Sequence, residues 1–173
     1  MPESEWIAKR VPDTNGVYLV PSFRGLSAPY WDMESKGLIV GLSDDVNRAH
    51  IIRAALAALA YQVRDIYEAL SPDIPVPIKE LKVSGGASQN NLLMQFQADI
   101  MGIPVIRPEI METTALGAAY LAGLAIGFWQ NLDELRKLWP PYVRYEPHMD
   151  EVERERLYDG WQVAVEQAMA GMR

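Results

Sequence analysis

The sequence predicts an α/β protein in which parallel strands are covered by helices. Three observations lead to this fold class: helical and strand-like patterns alternate along residues 43–127, the strand-like runs are short and apolar, and the connections are short. The predicted order is helix, strand, helix, strand, helix. Short connections between alternating elements place the strands side by side, running in the same direction.

Residues 1–42 are predicted to form a loop and short strands that precede this core. The runs VYLVPS at 17–22 and GLIVGL at 37–42 indicate two strands. Between them, FRGLSAPYWD contains Gly25 and Pro29 and is predicted to be a loop.

The first helix of the core is predicted from an alanine- and leucine-rich run over residues 43–70. Its middle is apolar almost all the way round, which favours a helix buried between layers. Ser71 and Pro72 end the pattern. The candidates for its N-cap are Ser43, Asp44, Asp45 and Asn47.

The next elements are a strand, a helix and a second strand. IKELKVS at 78–84 indicates the first strand, residues 89–101 predict the helix that Gly102 ends, and residues 103–106 indicate the second strand. The apolar positions at helical spacing are Leu92, Leu93, Phe96 and Ile100.

Residues 113–129 are the most apolar part of the chain. They are somewhat short for a membrane span, so they predict a buried helix. Thr113 or Thr114 is the expected N-cap. With this helix, residues 43–129 form an α-β-α-β-α half-domain.

Residues 130–173 are predicted to form C-terminal helices. Asn131 and Glu134 resemble a capping box for a short helix. After a break at Pro140, residues 149–172 predict an amphipathic helix. Its inward-facing positions are Leu157, Trp161, Val165 and Ala168.

The composition excludes several classes of function. The chain has 173 residues, a formal net charge of -7 and no cysteine. The negative charge argues against nucleic acid or an anionic membrane as the main partner, and the absence of cysteine excludes disulfides and thiolate chemistry. The absence of cysteine fits a reducing compartment, so a cytoplasmic location is expected, and the N-terminal residues have no apolar core like that of a signal peptide.

Two parallel strands do not make a stable sheet alone, so the chain looks like part of a larger sheet. Strands that lack neighbours expose edges that invite pairing. We therefore expect a dimer, domain-swapped or otherwise, or a marginally stable monomer.

Gly85 and Gly86 follow the strand at 78–84, and Asn90 and Asn91 begin the next helix. Ligands of open α/β sheets bind beyond the carboxyl ends of strands, where helix N-termini favour anions. Glycine lets backbone approach a phosphate or a ribose closely. The pattern alone is equally consistent with a plain turn between strand and helix.

Other polar residues indicate structural roles more than chemistry. Charged residues around APYWD are expected to solvate a loop, although Asp32 could act as an active-site acid. His50 and His148 lack spaced partners for a metal ion, so structural or surface roles are expected. The charged loop residues are Arg24, Asp32, Glu34 and Lys36.

Several longer motifs resemble the C-terminal part of glycerol kinases, within the FGGY family of carbohydrate kinases. The resemblance covers nearly the whole chain. The motifs that carry it are TNGVYLVPSFRGLSAPYWD, GLIVGL, RAHIIRAAL, AYQVRDIYEA, VSGGASQNNLLMQFQADIMG, ETTALGAAYLAGLAIGFW and DGW.

The resemblance implies the second half of an actin/hexokinase-type, RNase H-like domain. It implies a complete enzyme that uses ATP and Mg²⁺ to convert glycerol into glycerol 3-phosphate. The residues implied for nucleotide binding are Gly85, Gly86, Ala87 and Asn90.

The residues implied for catalysis and glycerol binding are expected ahead of residue 1, so no residue here is assigned as catalytic or as a metal ligand. The chain alone is predicted to be inactive. Ser84 stands where the family usually has Asp, Ala57 where it usually has Glu, and Arg24 where it has a small or hydroxylated residue. If Ser84 weakens the organisation of metal or ribose, nucleotide affinity falls.

A second interpretation is a non-catalytic, stand-alone interaction or regulatory protein that keeps this fold. Its expected partner is the missing N-terminal kinase half or a second copy of the chain. The C-terminal helix and the APYWD loop would then be its contact surfaces.

Overall fold

The computed structural model describes residues 3–110, 112–138 and 141–171. These residues form six α-helices and five β-strands. The strands make two small sheets, and helices pack against them. Trp139, Pro140 and Met172, where the sequence predicted a break and a helix end, lie outside the described residues.

The first sheet pairs β1 (Tyr18–Val20) with β2 (Leu38–Val40) in antiparallel fashion. A short helix that the sequence analysis did not predict, α1 (Glu3–Ala8), precedes them. Ile7 of this helix packs into a small apolar cluster with Val11, Ala49 and Ile52. This cluster joins α1 to the long helix that follows the sheet.

That long helix, α2 (Arg48–Leu70), begins after Asn47, which is one of the four predicted N-cap candidates. The Asn47 side chain accepts a hydrogen bond from the Ala49 N–H, and the Asn47 N–H donates to Nδ1 of His50. His50 therefore has a structural role in a capping box. The helix ends at Ser71, as the sequence predicted.

The second sheet has the order β3 (Leu81–Lys82), β4 (Val105–Pro108), β5 (Tyr142–Tyr145). The pair β3–β4 is parallel, which confirms the predicted α/β class, whereas β5 is antiparallel to β4 and was not predicted. Helix α3 (Asn91–Met101) connects β3 to β4 and ends at Gly102, with the left-handed φ of +65° that favours glycine.

The main core lies where α2, α3 and α6 (Glu151–Ala170) meet. The ring of Tyr61 stacks on Trp161 and meets Phe96 edge-on. The predicted inward positions of the last helix are confirmed, because Trp161 and Val165 are buried and Leu157 packs against them. The indole N–H of Trp161 donates to the buried carboxylate of Asp65 at 2.9 Å.

Helix α4 (Thr113–Ala125) contradicts the prediction of a buried helix. Among its residues only Gly123 is buried, and Leu121 is 70% exposed. Neither predicted threonine caps it, since the N-cap position is Glu112 and no side-chain hydrogen bond forms there. Apolar composition indicates a surface to be covered. The ring of Trp129 covers Gly123 and contacts Tyr120, but the described residues leave most of this helix unburied.

The short helix α5 (Leu132–Lys137) has the predicted cap. The side chain of Asn131 accepts from the N–H groups of Asp133 and Glu134, and Glu134 reaches back to the Gln130 N–H. No helix within the described ranges is long and apolar enough to span a membrane.

Candidate functional site

The candidate site is the loop between β3 and α3, residues 83–90. Val83 still bonds to β4 through the Ile106 carbonyl, after which the chain turns at Gly85. Residues Gly86–Gln89 form a single 3-10 turn that delivers Asn90 to the start of α3. The predicted strand, glycine pair and helix are therefore all present in this order.

The two glycines differ in what they require. Gly85 has a φ of +90°, in the region that L side chains rarely adopt, so its own conformation favours glycine. Gly86 has no such backbone requirement, and a Cβ built on it would meet no protein atom within 4 Å. Neither backbone conformation nor packing within the described residues therefore explains Gly86.

Asn90 closes the loop and caps α3. Its side-chain oxygen accepts a hydrogen bond from the Leu93 N–H at 3.0 Å. Its amide nitrogen is buried and has no hydrogen-bond partner in the described part of the chain. An unsatisfied buried donor costs about 1–3 kcal/mol, which is why native structures rarely keep one without a reason.

Asn91, the first residue of α3, is the centre of a small network. Its N–H donates to Oε2 of the fully buried Glu5 at 3.0 Å. Its side-chain oxygen accepts from the hydroxyl of Tyr145 at 2.7 Å and from Arg107 at 3.0 Å. Burial raises the pKa of Tyr145, which keeps this hydroxyl a neutral donor.

This network shows which group lies at the N-terminus of α3. A helix N-terminus favours an anion, and the sequence suggested a ligand phosphate for that role. The carboxylate of Glu5 already occupies this position at α3. The open face of the loop is instead the bare backbone around Gly86.

Arg107 also fixes the loop itself. Its guanidinium donates to the carbonyl of Ser88 at 2.7 Å, and the Ser88 hydroxyl donates to the carbonyl of Gly85 at 2.7 Å. Arg107 lies on β4, the parallel neighbour of β3, and carboxyl ends of parallel strands meet at one edge of a sheet. That rule was the signal that could have placed Arg107 beside the glycines.

The other site residues from the sequence are placed as follows. Ala87 is exposed in the 3-10 turn, and its carbonyl accepts the Asn90 N–H at 3.1 Å. Ser84 is exposed just before the glycines. Ala57 is buried in α2, and Arg24 is exposed in the loop after β1. Of the three departures from the family pattern, Ser84 alone adjoins the glycine loop.

The charged loop around APYWD has an internal structural explanation. The carboxylate of Asp32 accepts hydrogen bonds from the N–H groups of Glu34 and Ser35. The loop also holds Trp31 with its side chain 73% exposed. His148 is exposed, and its N–H donates to Asp99.

The site is a strand–turn–helix site, in which a β-strand, a glycine turn and a capped helix meet at the edge of a sheet. Comparison with known proteins identifies the family. The model of the FGGY family of carbohydrate kinases, C-terminal domain, matches residues 3–126. The chain therefore belongs to the FGGY family of carbohydrate kinases.

Within the family, the chain is similar to glycerol kinases. The chain is 60% identical over 168 residues to the glycerol kinase of Caldanaerobacter subterraneus subsp. tengcongensis, covering 97% of this chain and 34% of the relative. It is 53% identical over 167 residues to glycerol kinase 2 of Thermotoga maritima, covering 96% and 34%. The chain thus spans about a third of the length of these relatives.

Solved structures agree with the sequence matches. The crystal structure of Plasmodium falciparum glycerol kinase with ADP superposes with a TM-score of 0.88 at 33% identity, covering 96% of this chain and 33% of that chain. These matches confirm the expected second half of an actin/hexokinase-type domain.

Proposed function

We propose that this chain is the ATP-binding C-terminal half-domain of a glycerol kinase. The observation that carries the proposal is the open space beside Gly86, a glycine that neither the backbone nor the packing requires. The similarity to glycerol kinases and to a glycerol kinase structure with ADP supports the choice of nucleotide. In the complete enzyme, the γ-phosphoryl group of ATP would pass to glycerol, giving ADP and glycerol 3-phosphate.

The loop suits the nucleoside part of ATP. Gly85, Gly86 and Ala87 present backbone with little side-chain bulk, so a ribose or a base can approach it closely. The amide nitrogen of Asn90 is a donor still to be satisfied, and the acceptors of adenine or ribose would satisfy it.

The phosphates and Mg²⁺ need other groups. Glu5 holds the N-terminus of α3, so a phosphate at that position would meet a carboxylate. Mg²⁺ would neutralise the phosphate charge, and no residue of this chain is proposed as its ligand or as the catalytic base. The chain alone is therefore expected to bind nucleotide without transferring phosphate.

The rest of the kinase is the proposed partner. Leu121 of helix α4 and Ile126, the residue that caps its carboxyl end, expose apolar side chains that a soluble domain normally covers. We propose that the part of the relatives that this chain does not match, about two thirds of their length, packs against this apolar surface. We include a cytoplasmic location in this proposal.

Calorimetric titration of the chain with ATP and ADP, each with and without Mg²⁺, tests the proposal. We expect saturable binding that the exchange Gly86→Leu abolishes, because its side chain fills the open space. The exposed Gly127, where a Cβ likewise meets nothing, provides the control exchange Gly127→Asn, since asparagine tolerates its φ of +74°. Absence of binding in the unaltered chain would contradict the proposal.

A coupled assay tests the predicted inactivity. Glycerol-dependent ADP release by the chain alone, above a blank, would show that this part of the proposal is wrong. Adding a separately produced N-terminal two thirds of the Caldanaerobacter glycerol kinase should restore activity if the two parts assemble.

A second candidate function is a non-catalytic interaction protein, and the exposed apolar face of α4 favours it. This interpretation predicts tight association without nucleotide binding. Calorimetry separates the two, because only the kinase interpretation requires ATP to bind and Gly86→Leu to prevent it.

A further inference from the structure

A cavity lies apart from the glycine loop. It is a cleft of about 420 Å³ between α2, α3 and the start of α6, closed at one side by residues 12–16. None of the residues from Gly85 to Asn90 lines it. The cleft is therefore a separate feature of the described chain, and its volume lies within the 300–1,000 Å³ typical of small-molecule sites.

The floor of the cleft is apolar and rigid. Leu56 and Ala57 of α2, with Leu93 and Phe96 of α3, line it. The methyl group of Ala57 is small, and this leaves room above the helix. Leu93 is almost completely buried, so the floor belongs to the packed core and does not depend on a flexible surface side chain.

Tyr61 supplies a polar group in this apolar setting. The residue is 3% exposed and its ring is held by Trp161 at 5.2 Å and Phe96 at 5.4 Å between centroids. Its hydroxyl forms no hydrogen bond with a described residue, although Tyr61 lines the cleft. Burial raises the pKa of Tyr61, so the hydroxyl stays protonated and available as a donor.

The charged side chains at the rim of the cleft already make hydrogen bonds, and Asp13 accepts one from the Asn15 N–H at 2.7 Å. Arg156 makes two hydrogen bonds of 2.7 Å to Glu153. Arg53 donates to two backbone carbonyls near α1, and Asp99 accepts from Gln95 and from backbone N–H groups. An ionic ligand would have to compete with these bonds, whereas a neutral one would not.

We propose that this cleft is a binding site for a small, neutral aromatic molecule that carries a hydrogen-bond acceptor. The aromatic ring is placed on the apolar floor, and its acceptor, such as a carbonyl oxygen, receives the hydrogen bond from Tyr61. The size of the cleft admits a ring with a short substituent. This inference does not depend on nucleotide binding.

The test uses 4-fluoroacetophenone, a ring with one carbonyl acceptor, observed by fluorine NMR. We expect saturable line broadening with a dissociation constant of about 1 mM, a typical affinity for a ligand of this size. Tyr61→Phe keeps the ring and removes the donor, and it should weaken binding about 3–10-fold. Ala57→Leu fills the cleft and should weaken binding more than about 10-fold.

The control is Leu121→Ser on α4, which removes an exposed apolar side chain outside the cleft and should leave the affinity unchanged. Thermal unfolding of each variant shows whether it is folded, and Tyr61→Phe retains the test if Ala57→Leu is unstable. No saturation by the unaltered chain overturns the proposal. So does binding that Tyr61→Phe leaves unchanged, or binding that Leu121→Ser abolishes.

Discussion

Oε2 of Glu5 accepts a hydrogen bond of 3.0 Å from the backbone N–H of Asn91, which joins α1 to the start of α3 across 86 positions of sequence. Glu5 is fully buried, and its other oxygen accepts from Lys9 at 2.6 Å. A negative charge at a helix N-terminus stabilises the helix. The α1 segment thereby helps to fix the helix that follows the glycine loop.

The exchange Glu5→Gln should destabilise the chain by about 1–3 kcal/mol, because it removes the buried charge that both Lys9 and the α3 N-terminus require. Urea unfolding measures the change. Glu3→Gln is the matched control, since Glu3 lies exposed on the same helix. Equal effects of the two exchanges would contradict a specific role for Glu5.

The glycine pair should separate stability from ligand binding. Gly85→Ala should cost about 1–2 kcal/mol of unfolding free energy, because alanine is strained at a φ of +90°. Gly86→Ala should change stability by less than about 0.5 kcal/mol, since its Cβ meets no protein atom. If the loop binds nucleotide, Gly86→Ala should nevertheless lower the affinity in calorimetry. A destabilising Gly86→Ala with unchanged affinity would reverse this assignment.

The fold was predictable where the sequence pattern is local and long. The periods of α2, α3 and α6 extend over many turns, and each of these helices was predicted. The short elements α1 and β5 were not. In retrospect, Tyr142–Tyr145 reads YVRY, a run rich in residues that favour strands, but a strand of this length is decided by pairing with β4.

The site was predictable only in part. Gly85, Gly86 and Asn90 are marked by local pattern and family resemblance. The residues that fix Asn91, directly after them, come from distant parts of the chain: Tyr145 lies 54 positions from Asn91, and Glu5 lies 86 positions away. No local pattern encodes such contacts. For α4, hydropathy correctly indicated an apolar helix. Hydropathy reports that a helix tends to be buried, but it does not show which part of a protein packs against it.

The exposed face of α4 should drive self-association when the chain is alone. Burying one leucine-sized side chain contributes about 1.5–3 kcal/mol, so removing two from the contact should weaken a dimer more than about 100-fold. The double exchange Leu121→Ser and Ile126→Ser should therefore shift sedimentation towards monomer. Val152→Ser, at a position 80% exposed on α6, should not. A monodisperse monomer before any exchange would contradict this prediction.

Asp65 should make stability depend on pH. Burial raises its pKa above the ordinary value of 3.8, although hydrogen bonds from Trp161 and Tyr158 and the charge of Arg64 partly oppose the rise. The folded chain therefore binds this proton more tightly than the unfolded chain. Its contribution to stability is complete below pH 3.8 and is lost as the pH rises through the folded pKa.

Asp65→Asn removes this titration, so the unfolding free energy of the variant relative to the unaltered chain should rise as the pH increases above 3.8. The exchange also changes the hydrogen bonds to Trp161 and Tyr158, which adds an offset that does not vary with pH. Urea unfolding at several pH values measures the difference. Asp159→Asn, at an exposed position of α6, controls for the loss of one carboxylate. A difference that falls with pH would show that the folded state favours the ionised form of Asp65, because the hydrogen bonds then outweigh burial.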